Sequence, residues 1–214
     1  MLLKNDSLIE ALVADLRPVK PLSFGLGMLA AAAGAALALA GVSIFAGLRA
    51  DFLIGPHDPV FLISTGIFLM LGIAASVAVV GMSRPQVGSE HGGWVWAAAM
   101  AALLPLTAIV VWLFRPADSM SGNFVDHGTA CLLAGCGFGI FVGAALTFWL
   151  RRGAPTSAAL AGLLTGIAAG SLGTFAFSLH CTYNDIVHIG LWHGAVVAVS
   201  AAVGRLIIPT LVRW

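Results

Sequence analysis

The side chains of this sequence that could do chemistry are cysteines and histidines placed near the ends of apolar stretches. His127 and Cys131 are four positions apart, so they would share one face of a helix. His180 and Cys181 are adjacent after a later apolar stretch, and Asp185 follows closely. Thiolate, imidazole and carboxylate groups in one layer could bind a soft or borderline metal ion. The pattern therefore indicates a site, at one face of the protein, built on thiols.

The other histidines and the third cysteine also have simpler interpretations. His57 and His188 lie in loops or at helix ends on the same side, His193 is about one turn inside the last apolar stretch, and His91 is on the opposite side. A lone histidine at a helix end is typically a capping or interfacial group, and a lone cysteine in an apolar helix is a small filler. We interpret Cys136 as such a filler, because it is deeper than the first cysteine and on another helix face.

Two hypotheses for the cysteines remain open. The first is a metal site, although the sequence has no zinc spacing such as C-x-x-C or H-E-x-x-H. Its candidate ligands beside the thiols are His127, His180, Asp185, His188 and His193. The second is a disulfide or redox-active pair of Cys131 with Cys181, which an oxidising periplasm would permit. We expect Cys131 near the outer start of its helix, within reach of water.

The composition shows what kind of protein must position these groups. Apolar residues make up 60% of the 214 positions, charged residues only 9%, and the mean hydropathy is +1.02. Soluble domains are about 45–50% apolar and about 25% charged, so an ordinary soluble domain is excluded. A net charge of +1 leaves no basic patch for nucleic acid. G-x-S-x-G, phosphate-loop and dinucleotide motifs are absent, so we expect no enzyme.

Six apolar stretches are long enough for a bilayer core, which needs roughly 20 residues. The first follows a polar segment without a convincing cleavage site, so we expect it to be retained. The predicted fold is an all-α integral membrane protein, a six-transmembrane-helix bundle. Its predicted spans are Phe24–Gly47, Val60–Met82, Trp94–Phe114, Gly128–Leu150, Ser157–Leu179 and Ile189–Leu211.

Basic residues predict the orientation of this bundle, since cytoplasmic loops carry an excess of Lys and Arg. The side predicted to carry Cys131 and Cys181, which we call the thiol side, has only Arg49 and Arg115. The opposite side carries Lys4, Arg17, Lys20, Arg84, Arg151, Arg152, Arg205 and Arg213. We therefore expect both termini in the cytoplasm and the cysteines and most histidines outside.

Helices four and five are predicted to be antiparallel neighbours, because the connection 151–156 is short. Each also carries glycines at a spacing of four, which allows close backbone approach. We expect these glycines to pack within the bundle and not to form a dimer face. They are Gly135, Gly139 and Gly143 in helix four, and Gly162, Gly166 and Gly170 in helix five.

A short amphipathic helix is predicted before the first span. Ser7 and Glu10 have the spacing of a capping box, with Ser7 as N-cap, and Pro18 ends the pattern. The apolar stripe of this helix would rest on lipid or on the bundle, or it would dock in a groove of a soluble partner. It consists of Leu8, Ile9, Leu12, Val13 and Leu16.

Four motifs together resemble the NrsF family, six-helix membrane anti-sigma factors that are negative regulators of sigma F. The resemblance covers nearly the whole chain, with the motifs in the order and spacing of the family. They are Asp15-Leu16-Arg17-Pro18-Val19, Arg151-Arg152-Gly153-Ala154-Pro155, Leu179-His180-Cys181 and Leu191-Trp192-His193-Gly194.

The resemblance implies a function that the residues alone do not give. Residues 1–23 would dock an extracytoplasmic-function sigma factor in the cytoplasm, and residues 24–214 would form a transmembrane sensor in the bacterial inner membrane. A periplasmic pair, Cys131 and Cys181, would respond to metal or oxidant stress. The partners would be the sigma factor and the lipid bilayer; no cofactor is certain, and a metal ion would bind transiently. The alternative is a small metal-handling membrane protein, either a transporter or a metal-binding accessory.

Overall fold

The computed structural model of the protein describes residues 3–14, 22–55, 58–84, 93–114 and 124–212. In these residues the chain is helical and contains no strand. Two of the helices are short: α1 is Leu3–Ala14 and α3 is the single turn Ala50–Leu53. Six are long and apolar enough to cross a membrane: α2 Phe24–Ala46, α4 Pro59–Met82, α5 Gly93–Phe114, α6 Phe124–Leu150, α7 Ala158–Ser178 and α8 Ile186–Leu211.

The six predicted apolar helices are thus confirmed, and their bounds differ by a few residues. The largest difference is in α6, which begins at Phe124 and not at Gly128. Hydropathy marks where an apolar run begins, whereas a helix can start earlier with polar residues that face water. Asp126 in the first turn suits the positive end of the helix dipole. The earlier start places His127 inside α6, on the same helix as Cys131.

Helix α7 is the centre of the bundle, and almost all of its residues are buried. Its packing against α6 is close because glycines face it: a Cβ added to Gly139 would lie 2.6 Å from the carbonyl oxygen of Ala169. On its other side, a Cβ added to Gly162 would lie 2.5 Å from the carbonyl oxygen of Gly204 in α8. The predicted antiparallel contact of helices four and five is therefore confirmed, and their glycines pack within the bundle.

The end of the bundle away from the cysteines gathers several chain connections. Ser83 accepts a hydrogen bond from Trp149 Nε1 at 3.2 Å, and its carbonyl accepts one from the backbone of Ala154 at 3.0 Å. Arg84 donates to the carbonyl of Leu22 at 3.0 Å. The 151–156 connection, Arg84 and the start of α2 therefore lie at one end, as the distribution of basic residues predicts.

The N-terminal helix differs from the prediction. α1 begins at Leu3, so Ser7 is inside the helix and the predicted cap at Ser7 is wrong. A cap is worth only about 1 kcal/mol, and neighbouring residues that favour helix can extend the helix past it. The amphipathic character is not confirmed, since the apolar side chains described in this helix have no buried face and are 57–62% exposed: Leu8, Ile9, Leu12 and Val13. Leu16 lies outside the described residues.

Candidate thiol and metal site

Cys131 lies on α6, about two turns from the N-terminal end of the helix. Its side chain is 7% exposed, so the thiol is buried among Val42, Ala176 and Phe177. The expectation that this thiol lies at the start of its helix within reach of water is therefore wrong. The cause is that this face of α6 packs against α2 and α7, whose apolar side chains cover the cysteine.

Cys181 is the third residue after the end of α7, in the loop that leads to α8. Its backbone N–H donates to the carbonyl of Phe177 at 3.1 Å, which continues the helical turn and directs the side chain inward. The side chain is 7% exposed. The two sulfur atoms of Cys131 and Cys181 are 3.9 Å apart. The fold thus brings a thiol on α6 and a thiol in the loop after α7 into direct contact.

Two histidines of α8 join the thiols because α8 contains a π turn. His188 and His193 are five positions apart, which in an α-helix would leave them about 140° apart around the axis. The segment Ile189–His193 is a π-helix, in which Gly194 N–H bonds to the carbonyl of Ile189. A π turn contains an extra residue, so positions i and i+5 come to one face. The rings of His188 and His193 are accordingly 5.4 Å apart, and both are buried.

The four side chains form one cluster, which we call the thiol–imidazole cluster: Cys131, Cys181, His188 and His193. One donor atom from each lies within 4.8 Å of the others. His188 Nε2 is 3.7 Å from the sulfur of Cys181. His193 Nδ1 is 3.5 Å from Ser178 Oγ, and its Nε2 is buried with no hydrogen-bond partner among the described residues.

The electrostatics of the cluster favour a thiolate at Cys181. A hydrogen bond from Cys131 lowers the pKa of the Cys181 thiol most, and the imidazole of His188 lowers it further. Burial acts in the opposite direction, but these contacts outweigh it. A thiolate is the form of cysteine that is oxidised and that binds metal ions. The cluster can therefore do two kinds of chemistry: disulfide formation and metal ligation.

The other candidate ligands lie outside the cluster and make different contacts. The ring of His127 packs on Tyr183 with centroids 4.9 Å apart. His180 Nδ1 is 2.9 Å from the carbonyl oxygen of Gly47. Asp185 caps α8 by accepting from the backbone of Val187 at 3.4 Å. His57 and His91 are outside the described residues. Among the described candidate ligands, His188 and His193 join the two thiols, whereas His127, His180 and Asp185 do not.

Cys136 is separate from the cluster. It lies on another face of α6, half-buried, with its sulfur 3.8 Å from Ser200 Oγ. This face borders a groove of about 750 Å³ between α6, α7 and α8. Because Cys131 contacts Cys181 and Cys136 does not, the two cysteines of α6 have different environments.

Arg49 is a functional residue that sequence reasoning missed. It is 5% exposed and follows α2, beside the cysteine loop. Its guanidinium donates to the carbonyl of Cys181 at 2.9 Å and to Asn184 Oδ1 at 3.0 Å. It also forms a two-point ion pair with Asp51, at 2.6 and 2.7 Å, and lies 4.4 Å from the ring centre of Phe61. Arg49 therefore connects the loop that carries Cys181 to Asp51 and Phe61 at the same end of the bundle.

A sequence signal for Arg49 was present but ambiguous. In the count of basic residues, Arg49 was one of two exceptions on the thiol side, and Asp51 two positions later is its natural partner. An isolated arginine on the side where few basic residues are expected is predicted to make a specific structural contact. The sequence does not reveal that this use is the loop of Cys181, because the two are 132 positions apart.

We expect Arg49→Ala to destabilise the protein by about 3 kcal/mol or more, since it removes two hydrogen bonds to the cysteine loop and hydrogen bonds from a charged group contribute about 1.5–3 kcal/mol each. Thermal unfolding of the purified protein in detergent measures this change. Arg152→Ala is the matched control, because Arg152 also lies 4.4 Å from a phenylalanine ring centre, that of Phe148, but is exposed. We expect a loss of at most about 1 kcal/mol there. Equal losses in both variants would contradict the role of Arg49 in holding the loop.

Comparisons with known proteins identify a family and two relatives that this chain is similar to. The sequence profile of the family described as NrsF, negative regulator of sigma F, matches residues 12–214. A protein of Caulobacter vibrioides named anti-sigma-F factor NrsF is 30% identical, over 99% of this chain and 100% of its own length. A protein of Azospira oryzae named probable anti-sigma-F factor NrsF is 30% identical, over 73% of each chain. No solved structure matches the chain.

Proposed function

The chain belongs to the NrsF family of negative regulators of sigma F, and from this premise we propose that it is a membrane anti-sigma factor controlled by a thiol sensor. The family implies a regulatory protein with a sigma factor as partner. The finer proposal is that this partner is of the extracytoplasmic-function type and that Cys131 and Cys181 sense metal or oxidant stress in the periplasm. The observation that carries the proposal is the contact of the two buried sulfurs at 3.9 Å.

The sensing step is the formation of a sulfur–sulfur bond or the binding of a metal ion. In the first case the two thiols lose two electrons and two protons to an oxidant such as chromate. The sulfurs must then approach from 3.9 Å to about 2.05 Å. Because Cys131 is on α6 and Cys181 is in the loop after α7, we propose that this approach displaces that loop and α7 relative to α6.

The displacement reaches the opposite end of the bundle through close packing. Helices α6, α7 and α8 contact one another at glycines, where no side chain can absorb a small shift. Trp149 at the far end of α6 bonds to Ser83 of the neighbouring connection. Reversing a 99:1 equilibrium requires about 5.5 kcal/mol. We propose that thiol chemistry or metal ligation supplies this free energy, which one changed packing contact does not.

The docking element in this proposal is the N-terminal segment, residues 1–23, and the sensor is residues 24–214. In α1, Leu8 and Leu12 are one turn apart, and both are more than half exposed. Exposed leucines at this spacing fit the helix-in-groove mode of binding. A sigma factor with such a groove would be held at the membrane while the sensor is at rest.

The proposal places the protein in the inner membrane with both termini in the cytoplasm. We expect a phosphatase reporter fused after Asp118 to be active and one fused at Trp214 to be silent, because most Lys and Arg residues lie on the terminal side. Enzyme assays of intact cells measure the two fusions. Activity at Trp214 would reverse the two faces and place the thiol–imidazole cluster in the cytoplasm, which excludes a periplasmic sensor.

The experiment that tests the function is co-purification of the full chain with the sigma factor encoded in the same genome, before and after oxidation. We expect binding in the reduced state and its loss after treatment with an oxidant. The metal-handling alternative predicts instead that the protein moves zinc or cadmium across proteoliposomes. Flux without sigma-factor binding would overturn the proposed function.

A further inference from the structure

We propose that the thiol–imidazole cluster is a closed tetrahedral site for a divalent cation with a filled d shell, zinc or cadmium. The ligands are Cys131, Cys181, His188 and His193. This adds the two histidines and the class of ion to the thiol pair, and its role in signalling rests on the proposed function.

Two distances between donor atoms in the cluster match those of a tetrahedral site, and all four donor atoms lie within 4.8 Å of one another. Metal–sulfur bonds of about 2.3 Å and metal–nitrogen bonds of about 2.05 Å place two sulfurs about 3.8 Å apart, and a sulfur and a nitrogen about 3.6 Å apart. The sulfurs of Cys131 and Cys181 are 3.9 Å apart, and His188 Nε2 is 3.7 Å from Cys181. An ion would therefore bind with little movement of its ligands, which favours affinity.

The hydrogen bonds around His193 also point to an ion. Ser178 Oγ donates to the carbonyl of Thr174 at 2.8 Å, so it is free to accept from His193 Nδ1–H at 3.5 Å. That tautomer leaves a lone pair on Nε2, the buried atom that has no hydrogen-bond partner among the described residues. A ligand histidine typically donates its other N–H in this way. An ion at the cluster would occupy the unused lone pair.

Charge and geometry select the class of ion. Both thiols release their protons when a metal binds. Two thiolates and a divalent cation are neutral together, whereas monovalent copper would leave a buried negative charge, which is costly. Divalent copper favours tetragonal geometry, and magnesium and calcium favour oxygen ligands. Zinc and cadmium accept a tetrahedral set of sulfur and nitrogen.

Ion binding and disulfide formation exclude each other. The ion requires the sulfurs about 3.8 Å apart as thiolates, and the disulfide requires them about 2.05 Å apart without charge. The ion also joins three separate pieces of the chain: α6, the loop after α7 and the first turns of α8. A bound ion therefore holds these three pieces in a fixed arrangement and protects both thiols from oxidation.

The test uses the full-length chain, reduced and purified in detergent, with cobalt as a spectroscopic probe. We expect one cobalt ion per chain with the visible bands of tetrahedral cobalt bound to thiolate, and stoichiometric displacement by zinc. X-ray absorption of the zinc form should give two sulfur and two nitrogen neighbours. Octahedral cobalt, or a zinc form with oxygen neighbours in place of the two sulfurs and two nitrogens, would overturn the proposal.

Variants assign the ligands. His188→Gln and His193→Gln should each weaken zinc binding by more than the roughly 10–100-fold that residues behind a ligand contribute. His127→Gln is the matched control and should bind zinc as the parent does, since His127 packs on Tyr183 outside the cluster. Unchanged binding in His188→Gln and His193→Gln would remove the histidines from the site. The spectra of the parent protein decide the geometry even where a variant folds poorly.

A final measurement separates this inference from the proposed function. Diamide takes two electrons and two protons from a pair of thiols and leaves a disulfide. With zinc at about 100 times its Kd, we expect oxidation of Cys131 and Cys181 to slow by about a hundredfold. Failure to bind zinc while the thiols still control the sigma factor would reject only the metal site. Zinc binding without control of the sigma factor by the thiols would reject only the sensor.

Discussion

Replacing either Cys131 or Cys181 with serine is expected to abolish the response of the sigma-factor regulon to cadmium and chromate. The hydroxyl of serine forms no disulfide and is a poor ligand for soft metal ions. Because the two sulfurs are in contact at 3.9 Å, each single change removes the whole reacting unit. The double variant should therefore be no worse than either single variant, the non-additivity expected of residues that act together. A transcriptional reporter of the target genes, with and without stress, measures this.

Cys136→Ser is the matched control, because Cys136 is on the same helix and contacts Ser200 instead of the cluster. It should respond as the parent protein does. Membrane levels of all four variants need to be equal for the comparison to hold. A normal response in both single variants would make the thiols packing residues only, and the sensor would have to be sought elsewhere.

The six long helices were predictable because each depends on a property that is local in sequence. An apolar stretch of about 20 residues is visible without knowledge of its neighbours. The contact of α6 with α7 was also predictable, since a short connection and rows of glycine leave few other arrangements. The start of α6 was not, because hydropathy does not register the helical turn that includes Asp126.

The candidate site was only partly predictable. Both cysteines and both histidines of the cluster were among the candidate residues, but so were His127, His180 and Asp185, which contact other groups. Which of these candidate ligands meet the thiols depends on the π turn in α8, which places His193 on the same helix face as His188. Helical periodicity at 3.6 residues per turn places these two histidines on different faces. A single extra residue in one turn therefore decides which side chains meet.

Arg49 was not predictable as part of the site for a different reason. Its partners Cys181 and Asn184 are more than 130 positions away, and the pairing depends on how α2, α4 and α7 meet at one end of the bundle. The sequence shows a cation beside Asp51 and nothing more. Tertiary packing brings the Arg49–Asp51 ion pair against the loop that carries Cys181.

Leu12→Glu is expected to switch the target genes on without stress. If Leu12 enters a groove on the sigma factor, the change removes roughly 1.5–3 kcal/mol of apolar burial. It also forces a carboxylate to lose water at the interface, which adds to the cost. A total of about 3 kcal/mol or more lowers the affinity by about a hundredfold or more. Co-purification of the sigma factor with the membrane-bound variant measures the loss, and a reporter of the target genes measures its consequence.

The matched control for this prediction is Ala14→Glu, which adds the same charge to α1 on the side away from Leu8 and Leu12. Both side chains are exposed in this structure, so neither change should alter the stability or the membrane level of the protein itself. We expect Ala14→Glu to bind the sigma factor within about tenfold of the parent, because only screened surface charge changes. Equal loss of binding in both variants would indicate general charge repulsion, and no loss in Leu12→Glu would exclude α1 as the docking element. Loss in Leu12→Glu alone identifies the side of α1 that carries Leu8 and Leu12 as the surface that holds the sigma factor.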